Sequence, residues 1–409
     1  MTLSKSVRAV IIGGSFGGLT AAYELRKKLG PEILDITLIS RDARFTFVPS
    51  LTWVAIGTRK LSQISFGLED PLKDRKIKFV REPVIEIDTG NKTVITSKNQ
   101  HPYDFLVIAT GHRSANEAVE GLGPFDGPGH SPMSAPEAEE LAGAIRQLLK
   151  NPGPLVVGAA PGASCIGPAY ELAFEIDHLL RKKKLRHLVP MTYVTPEPYL
   201  GHMGMGGAGK IRQLLEAEFE ERDIRYKTSA AIMRIASDSV EVEGTRSIPS
   251  ALSIIIPPLA GVEVVAKTPG LSNPKGFVAV DQHYRHEVAD GVYAVGVAVA
   301  FPPVEETPVP VNFPKTGHMT EQMARYAAAD IVARIKGAES RDAEALSARC
   351  VLDMGDRGVF MSVNPVRPPR NQIPRISPGR QWLVAKRLFE RSYLWHARHG
   401  RSMPTSLGW

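Results

Sequence analysis

Twice in this chain a mostly apolar strand runs into a glycine-rich turn and on into a helix. That order of elements opens a βαβ unit, and its repetition predicts an α/β fold built on parallel sheets. The first copy is Val7–Ile12, the turn Gly13-Gly14-Ser15-Phe16-Gly17-Gly18, and a helix predicted over 19–28. Such a turn holds the pyrophosphate of a dinucleotide on the helix N-terminus. Gly13 makes the tight turn and Gly18 lets helix and strand pack closely, with Gly17 between them. Ser15 stands where the second glycine usually lies, and its side chain is small enough to serve.

The residues that follow point to FAD as the dinucleotide. A second strand over 35–40 ends in Ser40-Arg41-Asp42, which puts Ser40 and Arg41 near the ribose without a clear acidic partner. A strand over 103–108 leads into Thr110-Gly111, the pattern that favours FAD over free NAD. The strand 291–296 closes the same unit at Gly296, followed by Val297 where an aspartate is more common. The stretch 301–310 is too dense in proline for regular structure. Beyond it, Lys315 is a cation expected beside the flavin, where it would stabilise the anion of a reduced ring.

The second copy carries a cysteine. Residues 156–157 end its strand, and Gly158-Ala159-Ala160-Pro161-Gly162-Ala163-Ser164-Cys165 forms the turn before a helix predicted from residue 169. A thiol at a helix N-terminus is expected to have a lowered pKa. Ala160 and Ala163 replace the second and third glycines, and the strand 191–195 ends without a well-placed ribose acid, although Glu197 is close. NADH is therefore not expected here. His202 lies in the glycine-rich loop 201–207. Cys350 opens a predicted strand over 351–358, 185 positions from Cys165.

Composition excludes several classes. Two cysteines are not a disulfide framework. The net charge of +7 is unaccompanied by an aromatic-interleaved basic platform, so no nucleic-acid partner is assigned; no metal site is assigned either. Residues 1–7 lack a charged-then-apolar signal, and no stretch approaches the ~18 apolar residues of a membrane span. Residues 362–380 read as an extended connector. The helix predicted over 381–399 places Trp382, Val384, Ala385, Leu388, Phe389, Tyr393 and Trp395 on one face and Lys386, Arg387, Glu390 and Arg391 opposite. That pattern suits an anionic membrane surface. The expected division is a flavin domain over 1–118 and 275–340, a second Rossmann-like domain over 119–274, and a C-terminal region over 341–409. Residues 121–136 link the first two, and a helix is predicted over 136–149.

Longer motifs add a family resemblance. Phe47-Val48-Pro49-Ser50-Leu51-Thr52-Trp53, Gly162-Ala163-Ser164-Cys165-Ile166-Gly167-Pro168-Ala169-Tyr170-Glu171, Glu197-Pro198-Tyr199-Leu200-Gly201-His202, the 303–310 loop, Pro314-Lys315-Thr316-Gly317 and the run from Cys350 to Gly358 resemble sulfide:quinone oxidoreductases. The resemblance implies a monotopic membrane flavoprotein that oxidises sulfide to sulfane sulfur or polysulfide and reduces a membrane quinone. It places Cys165 and Cys350 as the redox pair facing the flavin, with Glu171 and His202 assisting proton movement. Pro49, Thr110, Gly111, Gly296 and Lys315 fall at flavin-contacting positions, and Phe313 and Phe360 near the quinone pocket. The family's third cysteine is absent: Met133 stands about where it belongs, and Glu137 near the place of a family histidine. FAD is therefore expected to be non-covalent. A homo-oligomer is compatible with the resemblance. Competing readings are the flavin subunit of a flavocytochrome c sulfide dehydrogenase, a type II NADH:quinone oxidoreductase, and a non-catalytic flavin-binding sulfide sensor.

Overall fold

A computed structural model describes residues 6–123, 125, 127–370 and 373–404. The reading of the N-terminus at Met1–Lys5 lies outside them, as do positions 124 and 126 of the linker and 371–372 of the connector.

Two parallel sheets carry the fold. In the first, the strands run in the order Val292–Ala294, Phe105–Ile108, Val7–Ile12, Leu34–Ile39, Lys78–Val80. Both faces are covered, which is why these strands are apolar almost throughout. The late strand Val292–Ala294 returns to pair with Phe105–Ile108, so residues nearly 200 positions apart lie side by side. The second sheet runs Gly129–His130, Leu252–Ile256, Leu155–Ala159, Met191–Val194, Ile224–Lys227. Its core is aromatic: Tyr170 stacks on Tyr193 at 4.7 Å between ring centroids, and Phe219 meets Tyr193 edge-on at 5.2 Å.

Several boundaries differ from expectation. The first helix is Phe16–Lys28, beginning inside the glycine turn, because Gly17 and Gly18 form its first turn instead of preceding it. The linker 121–136 is not all irregular: Gly129–His130 pairs with Ser253 and Ile254 as the edge of the second sheet. The helix that follows is Ala135–Lys150, capped by the Ser134 hydroxyl on the Glu137 N–H.

The C-terminal region differs most. Cys350 lies inside the strand Ala348–Asp353, not at its start, and the chain turns at Gly355 (φ +83°) before the antiparallel strand Gly358–Val363. The connector supplies a third strand, Arg375–Gly379. The helix Gln381–Arg398 then docks on the protein along one side, burying Glu390, Tyr393, Leu394 and Ala397. The expected wheel misplaces Tyr393, which is buried among Phe16, Phe45 and Phe47, and the charged Lys386 and Glu390, which turn inward. Both find an opposite charge inside, which is what makes their burial affordable. Val384, Leu388 and Trp395 stay about half exposed.

Candidate active site

The first glycine turn forms a cradle that only a backbone without side chains could make. A Cβ on Gly18 would lie 1.8 Å from the Gly13 carbonyl oxygen, and one on Gly13 would lie 2.2 Å from that of Ala109. Ser15 is the N-cap of the helix Phe16–Lys28, exposed, and its hydroxyl makes no capping bond. The helix N-terminus is therefore open to a phosphate. Ser40 borders the turn; Arg41 is exposed and pairs with Asp42 at 3.6 Å. Thr110 Oγ1 is buried without a partner, and Gly111 beside it has open space where a side chain would be. A buried hydroxyl of this kind calls for a ligand group. These residues fit a flavin dinucleotide.

Lys315 and Gly296 border the same space. Lys315 Nζ donates to the Val297 carbonyl at 3.0 Å and lies 3.7 Å over the Phe277 ring. Burial pulls its pKa down to about 7. It carries its full charge at neutral pH only with an anion beside it, which a reduced ring supplies. His112, which sequence reasoning passed over, is pulled down to about 4 by burial and by Lys315. Pro49 sits in the 3₁₀ turn Val48–Ser50, whose Ser50 hydroxyl donates to Glu390 Oε2 at 2.5 Å.

The fold brings the two cysteines together. Both thiols are free, and the charge of Cys165 reaches Cys350. Cys165 precedes the helix Gly167–Lys182, whose N-cap is Ile166. The expected lowering of its pKa is not found. Burial pushes the Cys165 thiol up to about 11, with Glu171 adding to it, and Cys350 up to about 12 for the same two reasons. Desolvation beside a carboxylate outweighs a helix terminus that starts beyond the thiol.

Glu171 ties the pocket together. Lys386 Nζ of the C-terminal helix donates to its Oε1, as does the Asp353 N–H at 2.9 Å, and Thr52 Oγ1 donates to Oε2 at 3.4 Å. Burial nonetheless raises the Glu171 pKa against the pull of Lys386. Lys386 is itself raised: burial lowers it, but Glu171, Asp353 and Glu175 together prevail. Both shifts have one origin, three carboxyl groups around one ammonium. Lys386, Asp353 and Glu175 were missed from the sequence. The available signal was Glu171 and Glu175, two acids one turn apart on a helix face otherwise apolar.

His202 is buried, and its Nε2 meets Glu305 Oε1 at 2.7 Å. Its Nδ1 accepts from the Gly204 N–H at 3.2 Å, so in the neutral ring the proton sits on Nε2 and is donated to Glu305. The His202 loop is held by Glu197, which accepts from Tyr170 Oη at 2.7 Å, Thr195 Oγ1 at 2.7 Å and the Met203 N–H at 2.7 Å. Fully buried, Glu197 is not placed for a ribose. The 310–312 segment lies on the second glycine turn: the Gly162 N–H donates to the Pro310 carbonyl at 2.6 Å, and the Asn312 N–H to that of Ala163 at 3.0 Å. Asn312 Nδ2 donates to the Gly162 carbonyl at 2.6 Å. Asn312 also borders Gly204, so the His202 loop and the cysteine turn share this residue.

Phe313 is buried against Phe301 at 5.1 Å, and Phe360 stacks on Trp382 at 4.5 Å. Met133 is half-buried against the core, and Glu137 accepts from the Ser131 hydroxyl at 3.1 Å. Among the described residues no group of three His, Cys, Asp or Glu could hold a metal ion, and no helix is long and apolar enough to cross a membrane.

Comparison with known proteins adds to this geometry. Residues 7–327 match the pyridine nucleotide-disulphide oxidoreductase family. The chain is 39% identical to a sulfide-quinone reductase of Aquifex aeolicus, over 97% of this chain and 92% of that protein. It superposes on the X-ray structure of the sulfide:quinone oxidoreductase from that bacterium with a TM-score of 0.94 at 38% identity, covering 98% of this chain and 94% of the other. A type II NADH:quinone oxidoreductase of Staphylococcus haemolyticus is similar at 22% identity, over 85% of this chain and 87% of its own. A double Rossmann-like architecture, a cysteine pair gathered from distant segments and a near-full-length relative agree: the chain belongs to the sulfide:quinone oxidoreductase family, within the pyridine nucleotide-disulphide oxidoreductases.

Proposed function

We infer that this chain oxidises sulfide to sulfane sulfur or polysulfide and reduces a quinone, with FAD as its cofactor. The observation that carries the reading is the pairing of Cys165 with Cys350 around Glu171. Bound FAD would supply a two-electron acceptor. Gly13, Ser15, Gly17 and Gly18 would hold its pyrophosphate, Ser40 and Arg41 its ribose side, and Pro49, Thr110, Gly111, Gly296 and Lys315 its ring side. With Met133 in place of a cysteine, attachment through that position is ruled out chemically, so FAD is held non-covalently.

The chain's own residues then divide the work. From the oxidised pair, hydrosulfide breaks the bond between the two sulfurs, leaving a persulfide on one cysteine and a thiolate on the other. Their high thiol pKa values mean that each proton must be taken by a base at hand. Glu171 is in position for that role, and His202 with Glu305 for a second proton path toward the surface. Successive sulfides lengthen the chain until polysulfide leaves. The quinone arrives from the side of the C-terminal helix, whose exposed Val384, Leu388 and Trp395 alternate with Arg387, Arg391 and Arg398, as at an anionic membrane surface. Phe313 and Phe360 remain candidates for its pocket.

The test is anaerobic mixing of the FAD-loaded protein with sulfide, followed by a short-chain quinone. Sulfide should bleach the flavin and quinone restore it, while Cys165→Ala keeps its FAD and loses the bleaching. A Cys165→Ala protein bleached at the wild-type rate would overturn the cysteine assignment. Bleaching without reoxidation by quinone would favour the sulfide sensor.

A further inference from the structure

Beneath the cysteine pair lies an acid that the sulfide chemistry leaves unused. Glu171, Glu175 and His178 fall at i, i+4 and i+7 of the helix Gly167–Lys182 and so share one face. Glu175 is 2% exposed, and neither of its carboxyl oxygens has a hydrogen-bond partner. The groups that face it are Asp353 from the strand Ala348–Asp353, Glu171 from its own helix, Lys386 from the C-terminal helix and the Trp53 indole. Their donors are spent elsewhere. Lys386 donates to Glu171, and the Trp53 Nε1–H to Asp353 Oδ2 at 2.9 Å. Asp353 also accepts from the Gly355 N–H at 2.8 Å. A bare carboxylate in such a place is far costlier than a carboxylic acid. Burial, then Asp353 and Glu171, raises the Glu175 pKa well above the usual carboxylate range. Glu175 therefore stores a proton next to the group that meets the thiols. One turn farther on, His178 is half-buried, where this face reaches the surface.

We propose that Glu175 relays the proton released by sulfide oxidation from Glu171 at the cysteine pair to solvent beside His178. The proposal rests on the sulfide reading. When hydrosulfide is inserted between the two cysteine sulfurs, one proton and two electrons are released. The electrons go to the flavin. The proton goes to Glu171, which passes it to Glu175 as Glu175 gives up its own toward His178. One proton enters the relay and one leaves. Glu175 acts through Glu171 and touches no sulfur.

Two measurements on the full chain test this. In infrared difference spectra at neutral pH, the carbonyl stretch of a buried protonated carboxylic acid should be present in the wild type and missing in Glu175→Gln. In stopped-flow mixing with sulfide, Glu175→Gln should bleach its flavin at least tenfold more slowly and with a larger solvent deuterium effect. Formate or imidazole should restore the rate, and quinone reoxidation of the photoreduced protein should be unchanged. A wild-type rate and isotope effect in Glu175→Gln, an equal slowing of both half-reactions, or a wild type without the acid band would overturn the relay. Should Glu175→Gln fail to fold, Glu175→Asp takes its place: retained acid band and sulfide reduction support the relay, and a folded Glu175→Asp as slow as Cys165→Ala overturns it. Bleaching of Cys165→Ala by sulfide would instead sink the underlying reading.

Discussion

Glu197 shows how one residue type is put to a use its position does not announce. It follows the strand Met191–Val194, where a dinucleotide site would use an acid on a ribose, yet it is turned inward and holds the His202 loop. Burial raises its pKa from the ordinary 4.5 to about 7. The native state therefore binds more protons than the unfolded chain between those values. This group's stabilising effect is fully present below about pH 4.5 and lost as pH rises through about 7. The melting temperature of wild type should fall across that window more steeply than that of Glu197→Gln; parallel curves would show that the carboxyl titrates normally. The glutamine also lacks a second acceptor for the three donors, at a cost of about 1–3 kcal/mol. Gly18 is a second residue with no tolerance. Since a Cβ there meets backbone at 1.8 Å and not a movable side chain, Gly18→Ala should purify without the yellow flavin, read by its visible spectrum. A fully flavinated Gly18→Ala would mean that the turn is not the pyrophosphate site.

Among the elements, the C-terminal helix has two jobs that a helical wheel could not separate. Its inner side is fastened by charge: Glu390 accepts from Arg59 Nε at 3.0 Å as well as from Ser50, and Lys386 reaches Glu171. Its outer side keeps Val384, Leu388 and Trp395 in solvent. A double substitution Val384→Asp and Leu388→Asp should leave the melting temperature within a degree or so, since surface changes shift stability by about 0.5 kcal/mol or less. It should nevertheless abolish flotation with anionic vesicles, which for wild type should weaken as salt rises. Undiminished flotation would point to another surface. Both parallel sheets and their glycine turns were legible in the sequence, because the apolar period and the turn residues are local. Lys386 and Glu390 were not, because a charge earns an inward place only through a partner hundreds of positions away. The same holds for the thiol of Cys165, whose local helix position gave the wrong sign for its pKa.

At the scale of the whole molecule, the decisive arrangement is that a loop from the flavin half closes the turn of the second half. Residues 301–314 run out from the first sheet, and Pro310 and Asn312 take the polar groups of Gly162 and Ala163 that a nicotinamide dinucleotide would otherwise use. The second Rossmann-like sheet thus keeps its architecture while its turn serves to place Cys165. NADH should therefore neither bleach the flavin nor stabilise the fold. The second readout is sensitive, since a ligand present at about a hundred times its Kd adds about 2.7 kcal/mol. That displaces a melting transition by several degrees. A scan with millimolar NADH should superpose on the scan without it, while sulfide bleaches a sample from the same preparation. A shifted transition without bleaching would show that the 310–312 loop moves aside to admit the dinucleotide. Bleaching by NADH alone would assign the chain's electrons to nicotinamide and leave the cysteine pair without a part in them.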